Sequence, residues 1–189
     1  MKRIAIILIV TCLASCAGQE AQVANRLDAV TGVTISYSQV PMVLYRDNSG
    51  QAAHARNLVH MGPLEVNRMG EFRYYLWLGI WNTLEGAGPG ASRDGFESIV
   101  IFADGEPLPL DITGWTAASI GASESVYLRP VSSSADAYFE VTVDHLRLIA
   151  AASDIRIQIS GNNSHTYELW NDQTSAKLSM QAFLRNSVY

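Results

Sequence analysis

Period-two alternation runs through this chain from residue 33 onward. Val33, Ile35 and Tyr37 alternate with Thr34 and Ser36, and Met42-Val43-Leu44-Tyr45 follows Pro41. Proline donates no ladder hydrogen bond, so this pair reads as bent or on an edge. Residues 47–56 read as a turn and loop. Residues 58–66 read as a strand interrupted at Gly62-Pro63. The strongest strand signal is 71–83. Phe72, Tyr74, Leu76, Leu78 and Ile80 fall on one face, Tyr75, Trp77 and Trp81 on the other. A strand apolar on both faces belongs at the centre of a fold, covered on each side.

Residues 86–95 form a glycine-rich loop that lacks the Gly-Lys-Ser/Thr ending of a phosphate loop. Residues 98–102 and 108–110 flank Asp104-Gly105, a strong hairpin signal because glycine tolerates positive φ. Residues 126–131 read as a further strand. Phe139, Val141 and Val143 alternate with Glu140 and Thr142, and Asp144 can then cap a short helix over 145–152. Ile155, Ile157 and Ile159 mark another strand, and 166–170 returns after a turn at 161–164. Residues 172–188 read as a closing helix capped by Asp172, with Ala176, Met180, Phe183, Leu184 and Val188 on one stripe.

About eight or nine short strands at regular spacing, one crossover helix and a C-terminal helix predict a mainly β fold. The expected architecture is an antiparallel β-sandwich, immunoglobulin-like in its layout, over residues 31–189. The strand–helix–strand passage at 137–160 is expected to connect its two sheets. The terminal helix is expected to lie over the face of Tyr75, Trp77 and Trp81. If that face is instead open, these aromatics are the candidate interaction surface, since Trp and Tyr dominate binding hot spots.

The first residues follow a different pattern. Lys2 and Arg3 precede a run from Ile4 to Leu13 that is apolar apart from Thr11, and Leu13-Ala14-Ser15-Cys16 closes it. The run is too short for a bilayer-spanning helix, which needs about 20 apolar residues. It has the charge, length and small-residue exit of an export signal. The tetrapeptide resembles the lipobox of bacterial lipoproteins. That resemblance implies a signal peptide over residues 1–15, cleavage before Cys16, a diacylglycerol thioether on the Cys16 sulfur and an acylated amino group. Residues 16–30 would then be the lipidated cysteine and a polar tether. In such lipoproteins an aspartate after the cysteine favours inner-membrane retention. Ala17 stands there, which implies the outer membrane, facing the periplasm.

Charge supports this placement only indirectly. The chain carries 13 basic and 18 acidic residues; without Lys2 and Arg3 the balance is 11 to 18, a formal net charge of −7. Such a surface is not suited to nucleic acid or to anionic head groups, so the membrane contact expected is the lipid anchor. Cys12 leaves with the signal and Cys16 carries lipid, which leaves no thiol for a disulfide or a metal. His54, His60, His145 and His165 show no metal spacing. There is no Gly-x-Ser-x-Gly, and pairs such as Asp104 with Glu106, or Glu140 with Asp144, read as turn and cap residues. No cofactor, metal or catalytic residue is therefore expected. The expected function is a non-catalytic structural or binding module with an envelope protein partner, recognition lying in loops 47–56 and 86–95. The alternatives are an envelope hydrolase of wall or sugar polymers, needing two converging carboxylates, and a small-ligand carrier with a closed apolar pocket beside Trp77.

Overall fold

The computed structural model describes residues 23–50, 52–84, 93–160, 164–170 and 173–187. These contain β1 (Val23–Leu27), β2 (Thr34–Ser38), β3 (Met42–Asp47), β4 (Arg56–Arg68), β5 (Glu71–Asn82), β6 (Ser98–Ala103), β7 (Glu106–Gly114), β8 (Ala135–Val141), β9 (Ile155–Ile159) and β10 (His165–Leu169). Helix α1 (Val143–Ala151) joins β8 to β9, and α2 (Thr174–Ser187) follows β10. All pairings are antiparallel.

The sheet closes on itself. From β4 the order runs β3, β10, β9, β6, β7, β8, β5, and β5 pairs back to β4, so eight strands form a barrel. This corrects the expected immunoglobulin-like sandwich. Alternation cannot separate the two, because each needs only one inward face per strand. The difference lies in the edges. A sandwich leaves four, whereas here β10 returns to β3 and β8 to β5, so the barrel has none. The crossover helix expected within 137–160 is α1, and it carries the chain past β7 and β6 to β9.

Gly62-Pro63 does not interrupt β4. Residues up to Met61 pair with β3, and residues from Leu64 pair with β2. Pro63 falls in the seam between these two partners, where a missing N–H breaks no ladder. The long β4 thus belongs to the barrel in its first half and to a β1–β2 flap in its second. β1 was expected to be tether; instead Val23 to Leu27 pair with Ser38 to Thr34. Asp104 and Gly105 take φ of 49° and 88° in the β6–β7 hairpin, as the Asp-Gly signal predicts.

The barrel is filled by side chains. Leu76, Leu78, Ile99, Ile101, Phe139 and Ile157 point inward and are fully buried. Outward positions include Asp111, Glu140, Gln158 and Glu168, a polarity opposite to that of a lipid-spanning barrel. Among the described residues no helix is long and apolar enough to cross a membrane.

Both helices close one end of this core. Leu146 and Ile149 of α1, with Met180 and Phe183 of α2, join the same apolar cluster as the barrel interior. The amphipathic stripe of α2 therefore covers the barrel opening, not the face of Tyr75, Trp77 and Trp81. Helix α1 starts two residues earlier than expected. Thr142 is the cap: its Oγ accepts from His145 N (3.2 Å), and His145 Nδ1 accepts from Thr142 N (3.4 Å). Asp144 sits in the first turn, favourable to the helix dipole, and pairs with Arg147 at 2.8 Å. Asp172, the cap expected for α2, lies outside the described residues, as does Val188.

Candidate functional site

The long strand β5 presents its second aromatic face outward, and the structure divides that face in two. The half bearing Tyr75 and Trp77 is covered by the β7–β8 connection, residues 115–134. A 3-10 turn, Ala117–Ile120, brings Ala117 and Ile120 onto Leu64, Val66 and Trp77. Residues 126–131, expected as a strand, have no free edge to pair with, because β8 already has β7 and β5 as neighbours. The segment instead turns Tyr127 inward. Its ring stacks on Trp77 at 4.3 Å and 15°, meets Tyr37 edge-on at 5.5 Å, and its hydroxyl donates to Pro63 O at 3.0 Å.

Close approach explains two glycines on this wall. A Cβ at Gly62 would lie 2.2 Å from the Tyr127 hydroxyl, and one at Gly79 would lie 2.5 Å from the Trp77 ring. The Trp77 indole donates to Asp136 Oδ1 at 3.1 Å, and Arg129 donates to Asp136 Oδ2 through Nε (3.1 Å) and Nη2 (2.9 Å). Asp136 is 2% exposed, so this arginine and indole supply the charge and donors that its burial requires. The space beside Trp77, where a carrier would need its pocket, is taken by the Tyr127 ring.

The connection is also tied to the flap. Asp28, in the β1–β2 turn, accepts from Ser123 N and Oγ and from the amides of Val30 and Thr31. The Ser123 amide chiefly holds its carboxyl well below the usual carboxylate range, helped by the Ser123 hydroxyl and the two turn amides against the cost of burial. A depressed folded-state pKa contributes stability that is complete above the unfolded value near 3.9 and disappears as pH falls towards the folded one. Asp28→Asn should therefore lower the melting temperature at pH 7, and the gap to wild type should shrink below about pH 4. Melts by circular dichroism from pH 7 to pH 2.5 test this; a gap constant across the range would show that the charge contributes nothing.

The half bearing Trp81 is half-buried. Trp81 meets His60 edge-on at 6.0 Å, and the Trp81 indole N–H has no partner among the described residues. In register with Trp81 across Leu58 stands Tyr45, which meets Trp170 edge-on at 5.0 Å. The Arg56 guanidinium lies 4.5 Å over the Trp170 ring and 5.8 Å from that of Tyr45, and pairs with Asp47 at 3.1 Å. Gln173 pins Trp170 in place, its Oε1 accepting from Val43 N (3.2 Å) and its amide donating to Trp170 O. The result is a patch of Tyr45, His60, Trp81, Trp170 and Arg56 on the outer wall of β3, β4 and β5. Sequence reasoning found Trp81 but not Tyr45, His60 or Trp170, which are brought to it only by barrel closure.

Candidate chemistry elsewhere is dispersed. Burial lowers the His60 and His165 pKa values, so both are neutral at pH 7; His145 is committed to its capping box and His54 is exposed. Asp104 accepts from the Ser153 and Asp154 amides, which hold its carboxyl down, and ties the β6–β7 turn to the end of α1. Glu65 is buried beside Ser36, and burial raises its carboxyl. Among the described residues no three His, Cys, Asp or Glu side chains gather to hold a metal. Cys16 and its lipobox lie outside the described residues, as does most of loop 86–95. The β3–β4 and β5–β6 connections leave the barrel at the end opposite the helices, next to the Tyr45–Trp81 patch.

One cleft of about 440 Å³ opens where the end of the β4–β5 hairpin meets the 3-10 turn, lined by Val66, Arg68, Glu71, Arg73, Tyr75 and residues 118–121. Fold and site together define a helix-capped, side-chain-filled antiparallel β-barrel with one half of an aromatic face buried and the other partly exposed. No family model, curated protein or solved structure matches the chain.

Proposed function

We propose that this protein is a lipid-anchored binding module of the bacterial cell envelope, tethered through Cys16 and working by contact with a protein partner. The observation that carries this reading is the partly exposed aromatic patch. Tyr45, Trp81 and Trp170 are of the residue types that dominate binding energy, and Arg56 lies over the Tyr45 and Trp170 rings. Tyr45 and Trp81 stand on paired strands, and Trp170 directly follows β10. Between Cys16 and β1, residues 17–22 reach about 20 Å when fully extended. That length holds the barrel beside the bilayer. β1 enters next to α2, on the helix-capped side, so the patch and the loops of the other end face away from the anchor.

Two experiments test the two halves of this reading. Cys16→Ala should abolish incorporation of a clickable fatty acid and membrane partition; unchanged labelling would remove the anchor. For the patch, Trp81→Ala with Tyr45→Ala should abolish retention of co-purifying envelope proteins from detergent-solubilised membranes, while Asp111→Ala on β7 retains them. Loss of hot-spot residues costs about 2 kcal/mol or more each, roughly 30-fold in affinity per residue. Partners that survive the double variant at an unchanged melting temperature would place recognition elsewhere. Hydrolysis of peptidoglycan, glycan or ester by the purified protein, stopped by a single carboxylate or histidine substitution, would replace this reading with the enzymatic one.

A further inference from the structure

The cleft between the β4–β5 hairpin and the 3-10 turn has a different chemistry from the aromatic patch. Its floor is apolar, made by Val66, Ile120 and the ring of Tyr75. Its rim carries two guanidinium groups in unequal states. Arg73 donates through both Nε (3.0 Å) and Nη2 (2.8 Å) to Glu71 Oε1, so its charge is already answered. Arg68 has no acidic partner among the described residues. Among the described residues its only side-chain hydrogen bond is from Nη2 to Gly121 O at 3.5 Å, and the rest of its planar fork has no partner there. Gly121 takes φ of 80° as the left-handed cap of the 3-10 turn, and a Cβ there would lie 2.7 Å from Arg68 Nη2, so a side chain would shift the end of the guanidinium.

We infer that this cleft binds a small amphiphilic carboxylate, its head group held by the Arg68 fork and its apolar body laid over Val66, Ile120 and Tyr75. The charge balance selects a monoanion. Glu71 lies on the rim, and Glu140 stands opposite Tyr75 across the β5–β8 pair. Glu71 already answers Arg73, which leaves the Arg68 charge for a single carboxylate, and the two acidic groups nearby disfavour a dianion such as phosphate. A cavity of this size is in the range that holds small ligands of about 300–1,000 Å³ sites. The carboxylate could come from a short alkanoic acid or from the free end of an apolar peptide, and these share the same recognition chemistry.

The test is titration of the full-length chain with hexanoate, with hexanamide and with N-acetyl-alanyl-leucine, following amide NMR shifts of residues 118–121. Hexanoate or the dipeptide should give saturable shifts there, and the tighter of the two identifies the source of the carboxylate. Hexanamide, the neutral isostere, should bind about tenfold or more weaker, and Arg68→Gln should weaken the acids by the same factor. Glu71→Gln frees Arg73 and should strengthen them. Phosphate should give no saturable shift at these positions. Equal binding of amide and acid, no response to Arg68→Gln, or no saturable shift at residues 118–121 would overturn the inference.

Discussion

Tyr127→Ala should destabilise the protein by about 3–5 kcal/mol, read from urea unfolding, and shift tryptophan emission to the red. The ring is 6% exposed and sandwiched between Trp77 and Tyr37, so its removal leaves a cavity on the barrel wall that the backbone at Gly62 cannot fill. Trp77 is 1% exposed in the native protein, and Tyr127 is the aromatic lid that keeps water from its outer face. Tyr127→Phe keeps the stack and loses only the bond to Pro63 O, so it should cost about 1–3 kcal/mol without the emission shift. If Tyr127→Ala unfolds at the wild-type urea concentration, the connection 115–134 is not bound to the barrel wall in the way described.

Phe183→Ala should cost a similar 3–5 kcal/mol, but through the barrel's end and not its wall. Phe183 has no exposure and lies among the residues that fill the core from α2, beside Met180 and the α1 residues Leu146 and Ile149. Because Trp77 belongs to the separate outer cluster, this substitution should leave the tryptophan emission of the folded protein unchanged. Ending the chain before residue 173 removes more. It takes away the Ser38–Ser179 hydroxyl pair at 2.7 Å, the Tyr74 bond to Ser187 O at 2.9 Å and the Lys177 bond to Ser153 O at 3.0 Å. The truncated protein should be aggregated or molten, with the core open to water. A monomeric truncation with the wild-type melting temperature would show that α2 closes nothing.

These two substitutions also separate the two readings of the aromatic strand. The sequence offers one helix to cover Tyr75, Trp77 and Trp81, because its apolar stripe needs an apolar surface. The barrel supplies α2 with a different surface, its own open end. The cover for Tyr75 and Trp77 comes from a segment with no helical or strand regularity, and its key residue, Tyr127, is 50 positions from Trp77. Nothing local marks such a residue. The same holds for the partner of the Trp77 indole, since Asp136 is 59 positions away and joins it only through the β5–β8 pairing. Trp81 was identifiable as a candidate contact residue because it stands on the same face of β5. Its neighbours Tyr45, His60 and Trp170 come from three other stretches of the chain and meet it only across paired strands.

What the sequence by itself determined is local. Alternation separated the two faces of β5 and marked the inward side chains of β8 and β9, because a two-residue period needs no knowledge of the neighbouring strand. Asp104-Gly105 marked its hairpin through its tolerance of positive φ. The α1 and α2 helices were legible from spacing, though one cap was misplaced from Thr142 to Asp144. The tertiary structure alone decided that the sheet closes, where Pro63 falls between two partners, and which half of an aromatic face remains partly exposed. Those outcomes depend on pairing between strands distant in sequence, and the free energy of pairing is set by complementary edges and shared core volume. Neither is a property of any single segment, so no segment's pattern records it.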